Sequence, residues 1–132
     1  MLEAKVIACS VQQSARELYE MLWAPESFPK WASGLSSAML ERDGASWKVQ
    51  GPEGPIRIRF SDYNGFGVMD HWVELGESRV IYVPMRIIVN GDGSEVMLTL
   101  FRQPGMSAEK FAEDEAWVRR DLASLKAFAE RK

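Results

Sequence analysis

Residues 106–132 read MSAEKFAEDEAWVRRDLASLKAFAERK. From Ser107 to Arg131 this is the longest helical pattern in the chain. Phe111, Val118, Leu122, Leu125 and Ala129 recur on one stripe at helical spacing, with Phe128 at its edge, while Arg119, Arg120, Lys126 and Glu130 lie off it. Pro104 and Gly105 precede the pattern, and Ser107 is placed to cap its first turn. Acids (Glu109, Glu113, Asp114, Glu115) crowd the early turns and bases (Lys126, Arg131, Lys132) the end, as the helix dipole favours. One long amphipathic helix needs one broad apolar surface to lie on, and the rest of the chain reads as that surface.

Immediately before the helix, from Ser36 to Arg102, turn chemistry recurs at short intervals: Asp43-Gly44, Gly51-Pro52-Glu53-Gly54-Pro55, Tyr63-Asn64-Gly65-Phe66, Gly76-Glu77-Ser78 and Asn90-Gly91-Asp92-Gly93. These turns separate six strands, at about 37–42, 46–50, 56–62, 67–75, 79–89 and 95–102. Hairpin turns join antiparallel neighbours, which gives a meander. Ile56, Ile58 and Phe60 alternate with Arg57, Arg59 and Ser61; Met69, His71, Val73 and Leu75 alternate with Val68, Asp70, Trp72 and Glu74. Val96, Leu98 and Leu100 form an inner set opposite Met97, Thr99 and Phe101. Val80 to Val89 is apolar on both faces, so its facing is open, and Pro84 marks a bulge or an edge there.

At the start of the chain, Leu2 to Ser10 sets Glu3 and Lys5 against Ala4, Val6 and Ala8, a strand with one wet face. Ala15, Leu18 and Leu22 then change the period to three and four, so 12–23 is a helix. Ser10-x-x-Gln13 and Ser14-x-x-Glu17 are both able to start it as capping boxes. Pro25 ends this helix and opens a second, short one from Glu26 to Trp31, limited by Pro29.

The totals describe one ordinary domain over residues 1–132, with 46% hydrophobic and 27% charged residues. A net charge of −3 argues against nucleic acid as a partner. The single cysteine, Cys9, makes no internal disulfide and suits a reducing compartment. No apolar run approaches the ~18 residues of a membrane span, and the first residues lack the basic-then-apolar pattern of a signal peptide. A cytoplasmic location is the expectation.

The order strand, two short helices, meander and long C-terminal helix resembles the START/Bet v1-like (SRPBCC) superfamily with its helix-grip fold. SVQQSARELYEMLWAPESFPKW (Ser10 to Trp31) is similar to that superfamily's opening, and VPMRIIVNGDGSEVMLTLFRQPGMSAEKFAEDEAWV (Val83 to Val118) resembles its small bacterial polyketide cyclase/dehydrase-like branch. The resemblance implies an α+β fold, a seven-stranded curved antiparallel sheet wrapped around the C-terminal helix. It also implies a cavity between sheet and helix that takes a small, mostly hydrophobic ligand. The superfamily includes carriers, hormone receptors, cyclases and chaperone activators, so fold alone does not select the activity.

His71 is the sole histidine, and it falls on an apolar strand face. It is either a polar anchor or general acid/base in the cavity, or a half-buried strand histidine with a backbone partner. Asp70 is not its orienting carboxylate, because adjacent strand residues face opposite ways. Glu115 interrupts the helix stripe: it either faces a cavity mouth or stays wet, paired with Arg119 four residues on. Tyr82 and Arg86 share a strand face, and form a ligand pair if that face is inner; the simple pattern instead puts Ile81, Val83, Met85, Ile87 and Val89 inside. Trp31, Phe60, Met69, Met85 and Phe111 are candidate lining residues, of the kind that suits an adaptable apolar pocket or simply fills a core. One His and one Cys give no zinc cluster, and no metal or other cofactor is expected.

Three functions follow. The first is binding of a small hydrophobic or amphipathic ligand, lipid-like or aromatic and polyketide-like, with His71 setting its orientation. The second is a cyclase/dehydratase-like enzyme in which His71, with Tyr82 or Glu115, moves a proton. The third is binding of a partner protein through the sheet's outer face, around Trp72. A homodimer is a further possibility.

Overall fold

The computed structural model describes residues 1–32, 40–51, 54–76 and 79–131. Strand β1 (Ala4–Val11) leads into helix α1 (Ala15–Leu22) and a short 3-10 helix (Pro25–Lys30). Seven further strands follow: β2 (Glu41–Asp43), β3 (Ser46–Gly51), β4 (Gly54–Phe60), β5 (His71–Leu75), β6 (Arg79–Val83), β7 (Met85–Asn90) and β8 (Gly93–Phe101). Helix α2 (Ala108–Glu130) closes the order. The expected strand at 37–42 lies partly outside the described residues, as do the turns at 51–55 and 76–78. Among the described residues no helix is long and apolar enough to cross a membrane.

Both α-helices start where a serine satisfies a free backbone N–H. Of the two capping boxes it is Ser14 that serves α1: its Oγ accepts from the Glu17 N–H at 3.2 Å. Ser107 Oγ does the same for Lys110 at 3.0 Å. The second short helix is 3-10 in form, with Pro29 inside it, and Ser27 Oγ donates back to the Leu22 or Ala24 carbonyl, each at 2.7 Å.

All strand pairing is antiparallel. Instead of one seven-stranded sheet, the described strands form two, in the orders β1-β8-β7 and β2-β3-β4-β5-β6. The division falls at Pro84, in the middle of the run expected at 79–89. Pro84 accepts from the Thr99 N–H at 3.0 Å but has no N–H to return, so the ladder breaks there. The register nonetheless carries across the break. His71 pairs with Val83 on one side, and the isolated Val68–Arg86 bridge continues in step on the other. The next N–H, that of Met85, turns to the Asp70 carboxylate at 2.9 Å. The strand expected from 67 accordingly starts at His71, while Met69 donates to the Met85 carbonyl at 2.9 Å.

The buried face is the one the alternation indicated for most strands. Ile58, Met85, Ile87, Val96 and Leu98 are buried together with Leu122, Leu125 and Ala129 of α2. The first strand is the exception. Its charged parity, not its Ala4, Val6 and Ala8 parity, turns toward the helix. The reason is further along the same strand: Ile7 and Val11 share parity with Lys5, and burying these two outweighs burying two alanines and a valine. Lys5 adapts by placing its Nζ over the Phe111 ring, 5.3 Å from the centroid, and reaching Glu115 at 2.6 Å. Val6 is left 62% exposed.

Candidate functional site

A partly enclosed cavity of about 20 Å³ has room for about one water molecule. It lies between the α1–3-10 corner and strands β4 and β5. Its walls include Tyr19, Phe28, Trp31, Phe60, Met69 and His71, and no residue of α2. The cavity expected between sheet and C-terminal helix is therefore displaced to the other helical element. Leu122 and Leu125 fill the space over the sheet and are fully buried.

Phe28 organises this site. Its ring centroid stands 5.0 Å from Trp31, 5.3 Å from Phe60 and 5.3 Å from His71, each pair edge-on. The Pro25–Lys30 turn supplies Phe28 and Trp31 three residues apart, β4 ends in Phe60, and β5 begins with His71. An open cleft of about 340 Å³ adjoins the cavity and shares its Trp23, Ala24, Phe60 and Ser61 wall.

Two polar side chains border the cavity on terms that ordinary core groups do not have. The Trp31 indole Nε1 is buried with no hydrogen-bond partner among the described residues. Such an orphaned donor costs about 1–3 kcal/mol. His71 is 6% exposed. Burial pushes its pKa down to about 4, against smaller opposing effects of the Met69 carbonyl and the Asp70 charge. It is therefore neutral at pH 7. Its Nδ1 faces the Met69 carbonyl at 3.5 Å, a long contact that favours the Nδ1–H tautomer. That leaves Nε2 as an acceptor.

The remaining candidates lie elsewhere. Tyr82 and Arg86 are on the outer face, because Val83, Met85 and Ile87 take the inner one. There they hold Asp70: the Tyr82 hydroxyl donates to it at 2.7 Å, and the Arg86 guanidinium forms an ion pair with it. Burial opposes ionisation of Asp70, but Tyr82, the Met85 amide and Arg86 together hold its carboxyl below the ordinary value. Glu115 is bound to Lys5 at 2.6 Å and to Arg119 at 2.7 Å, away from the cavity. Its partners, Lys5 first, hold its carboxyl below the ordinary range. Met85 and Phe111 are buried without lining the cavity. Cys9, its thiol pushed up by burial, faces the Leu122 carbonyl at 3.8 Å.

Tyr19 and Phe28 are cavity residues that the alternation of the strands gave no reason to choose. Tyr19 sits on the buried face of α1, and its hydroxyl accepts from the Asn64 N–H at 2.9 Å. Among the described residues no three metal-ligating side chains gather in one place.

Neither a protein-family model nor a curated protein matches the chain. Solved structures do. An uncharacterised protein from Bacillus thuringiensis superposes with a TM-score of 0.77 at 14% identity, over 98% of this chain and 100% of that one. The Aha1 dimer from Colwellia psychrerythraea gives 0.73 at 12% identity, over 97% and 96%. Ara h 8.0201 gives 0.71 at 11% identity, over 98% of each chain. At such identities the likeness concerns the path of the backbone and not its chemistry. By that path, from the first strand to the long last helix, the chain has a Bet v1-like fold.

Proposed function

We propose that the chain binds a small, uncharged, largely apolar molecule carrying a hydroxyl group, between the Pro25–Lys30 turn and strands β4 and β5. The observation that supports this most is the pairing of a buried indole N–H, without a partner among the described residues, with a neutral histidine on one aromatic-walled cavity. A hydroxyl is both donor and acceptor, so one lying between the two residues would complement an indole N–H donor and an imidazole acceptor together. An anionic ligand fits poorly. The described residues lining the cavity itself include no Lys or Arg, Arg42 standing only on the wall of the adjoining cleft, and a carboxylate moved into the cavity would lose its hydration uncompensated. Ligand pockets usually measure ~300–1,000 Å³. Reaching that size requires Trp23 and Phe60 to swing so that the cavity joins its neighbouring cleft of about 340 Å³.

The cyclase-like alternative has less support. Proton transfer through His71 needs a second titratable group at the same substrate atom. Tyr82 and Glu115 are committed elsewhere, and the Asp70 carboxylate is held by Tyr82 and Arg86.

Native mass spectrometry of freshly purified protein, followed by denaturing extraction, tests the reading. A neutral hydroxyl-bearing molecule retained at one per chain is the expected result. A fatty acid or other anion in the extract would overturn it.

A further inference from the structure

The outer face of the β1-β8-β7 sheet departs from the usual rule that an antiparallel sheet shows water a polar side. Because β1 is turned over, its outward set is Ala4, Val6, Ala8 and Ser10. Beside it on β8 lie Phe101, Thr99 and Met97, in register with Ala4, Val6 and Ala8. Ile88 on β7 continues the patch and is 45% exposed. Across the Pro84 break Tyr82 stacks on Phe101 at 6.5 Å and on Trp72 at 5.4 Å, and Arg59 covers the far side of Trp72 at 4.4 Å.

Charges on this face are neutralised or sit at its rim. Glu95 closes one end, accepting from Ser10 at 2.6 Å and Asn90 at 3.1 Å. Arg86 is bound to Asp70. The centre therefore carries no uncompensated charge to repel an identical surface. Its relief is also suited to self-packing: small Ala4 and Ala8 stand directly opposite large Phe101 and Met97, so ridges alternate with hollows.

We propose that this face is the interface of a homodimer, two copies packed sheet to sheet about a two-fold axis. Aligned sheet packing of this kind is common, with strand directions ~30° apart. The area suffices. The 33 residues of β1, β8, β7, β6 and β5, at ~3.3 Å per residue and ~4.8 Å between strands, present roughly 500 Å² per copy, so that ~1,000 Å² is covered in total, about what a specific interface needs. A foreign partner would need charges or a groove to read, and the centre of this face offers neither. The face is separate from the His71 cavity, so the two proposals stand or fall independently.

The test is sedimentation equilibrium of the full chain over a range of concentrations. Wild type is expected to dimerise. Val6→Glu and Ile88→Glu, each at an exposed position, should raise the dimer dissociation constant by at least ~100-fold, since each buries a charge in the pair. Trp117→Gln, on the exposed side of α2, should leave it unchanged, and far-UV circular dichroism should be alike in all four proteins. A wild type that stays monomeric at every concentration overturns the proposal. So does a dimer indifferent to both glutamates, which would place its interface elsewhere.

Discussion

Protonating His71 means either solvating a charge inside an aromatic box or opening the box. Its pKa is about 4 in the fold against 6.5 ordinarily, so between these values the unfolded chain binds the extra proton. Stability therefore falls as pH drops from 6.5 toward 4 and levels off below, by about 3 kcal/mol at most. Urea midpoints measured across that range should show the fall in wild type and lose it in His71→Phe. A variant with an undiminished slope would remove His71 as its source. Asp70 works in a lower window. Its carboxyl is held below the ordinary 3.8, so its contribution is full above that pH and is lost as pH falls through the lowered value. Asp70→Ala leaves the Met85 N–H and the Arg86 cation without their acceptor and should cost about 2–4 kcal/mol in chemical denaturation. The placement of His71 on an apolar face was legible from alternation alone. The role of Asp70 was not, because it arises from a proline opposite it in the next strand, and no local pattern connects the two.

Among the elements, α2 was the most legible, since a stripe at helical spacing over six turns has one interpretation. Leu122 and Leu125 lie at its centre, 2% and 0% exposed. Either replaced by alanine should lose about 2–5 kcal/mol, read from the urea midpoint. Losses below 1 kcal/mol at both sites would mean that the helix is not seated as described. β1 was legible as a strand but not in its facing. Counting charged against apolar residues near its start suggested one face; the two large aliphatic chains at Ile7 and Val11 decided the other. The run at 79–89 was correctly ambiguous, and Pro84 resolved it by dividing the strand while keeping register. Gly67 anchors the segment that crosses this break. It has φ of +68°, and a Cβ there would run into the Ile87 carbonyl oxygen. Gly67→Ala should therefore destabilise by about 2 kcal/mol or more, with a thermal unfolding scan as the check.

For the whole molecule, fold and site separate cleanly. The order of elements was enough to indicate the Bet v1-like path, because helix caps, turns and alternation are local signals. The cavity was not legible in the same way. It is made where the Pro25–Lys30 turn meets β4 and β5, residues some forty positions apart, and its position away from α2 depends on how completely Leu122 and Leu125 fill the sheet's concave face. Four of the side chains singled out from sequence, Trp31, Phe60, Met69 and His71, border it; Tyr82, Arg86, Glu115, Met85 and Phe111 do not. The central claim is that this cavity selects an uncharged hydroxyl-bearing molecule. It is tested most directly by titrating the protein at pH 7 with 2-naphthol, naphthalene and 2-naphthoate, and following tryptophan fluorescence in wild type and His71→Phe. Wild type should bind 2-naphthol at least ~10-fold more tightly than naphthalene or the anion, about the worth of one net hydrogen bond, and the variant should lose that preference. Equal binding of all three, or tighter binding of 2-naphthoate, would contradict the account.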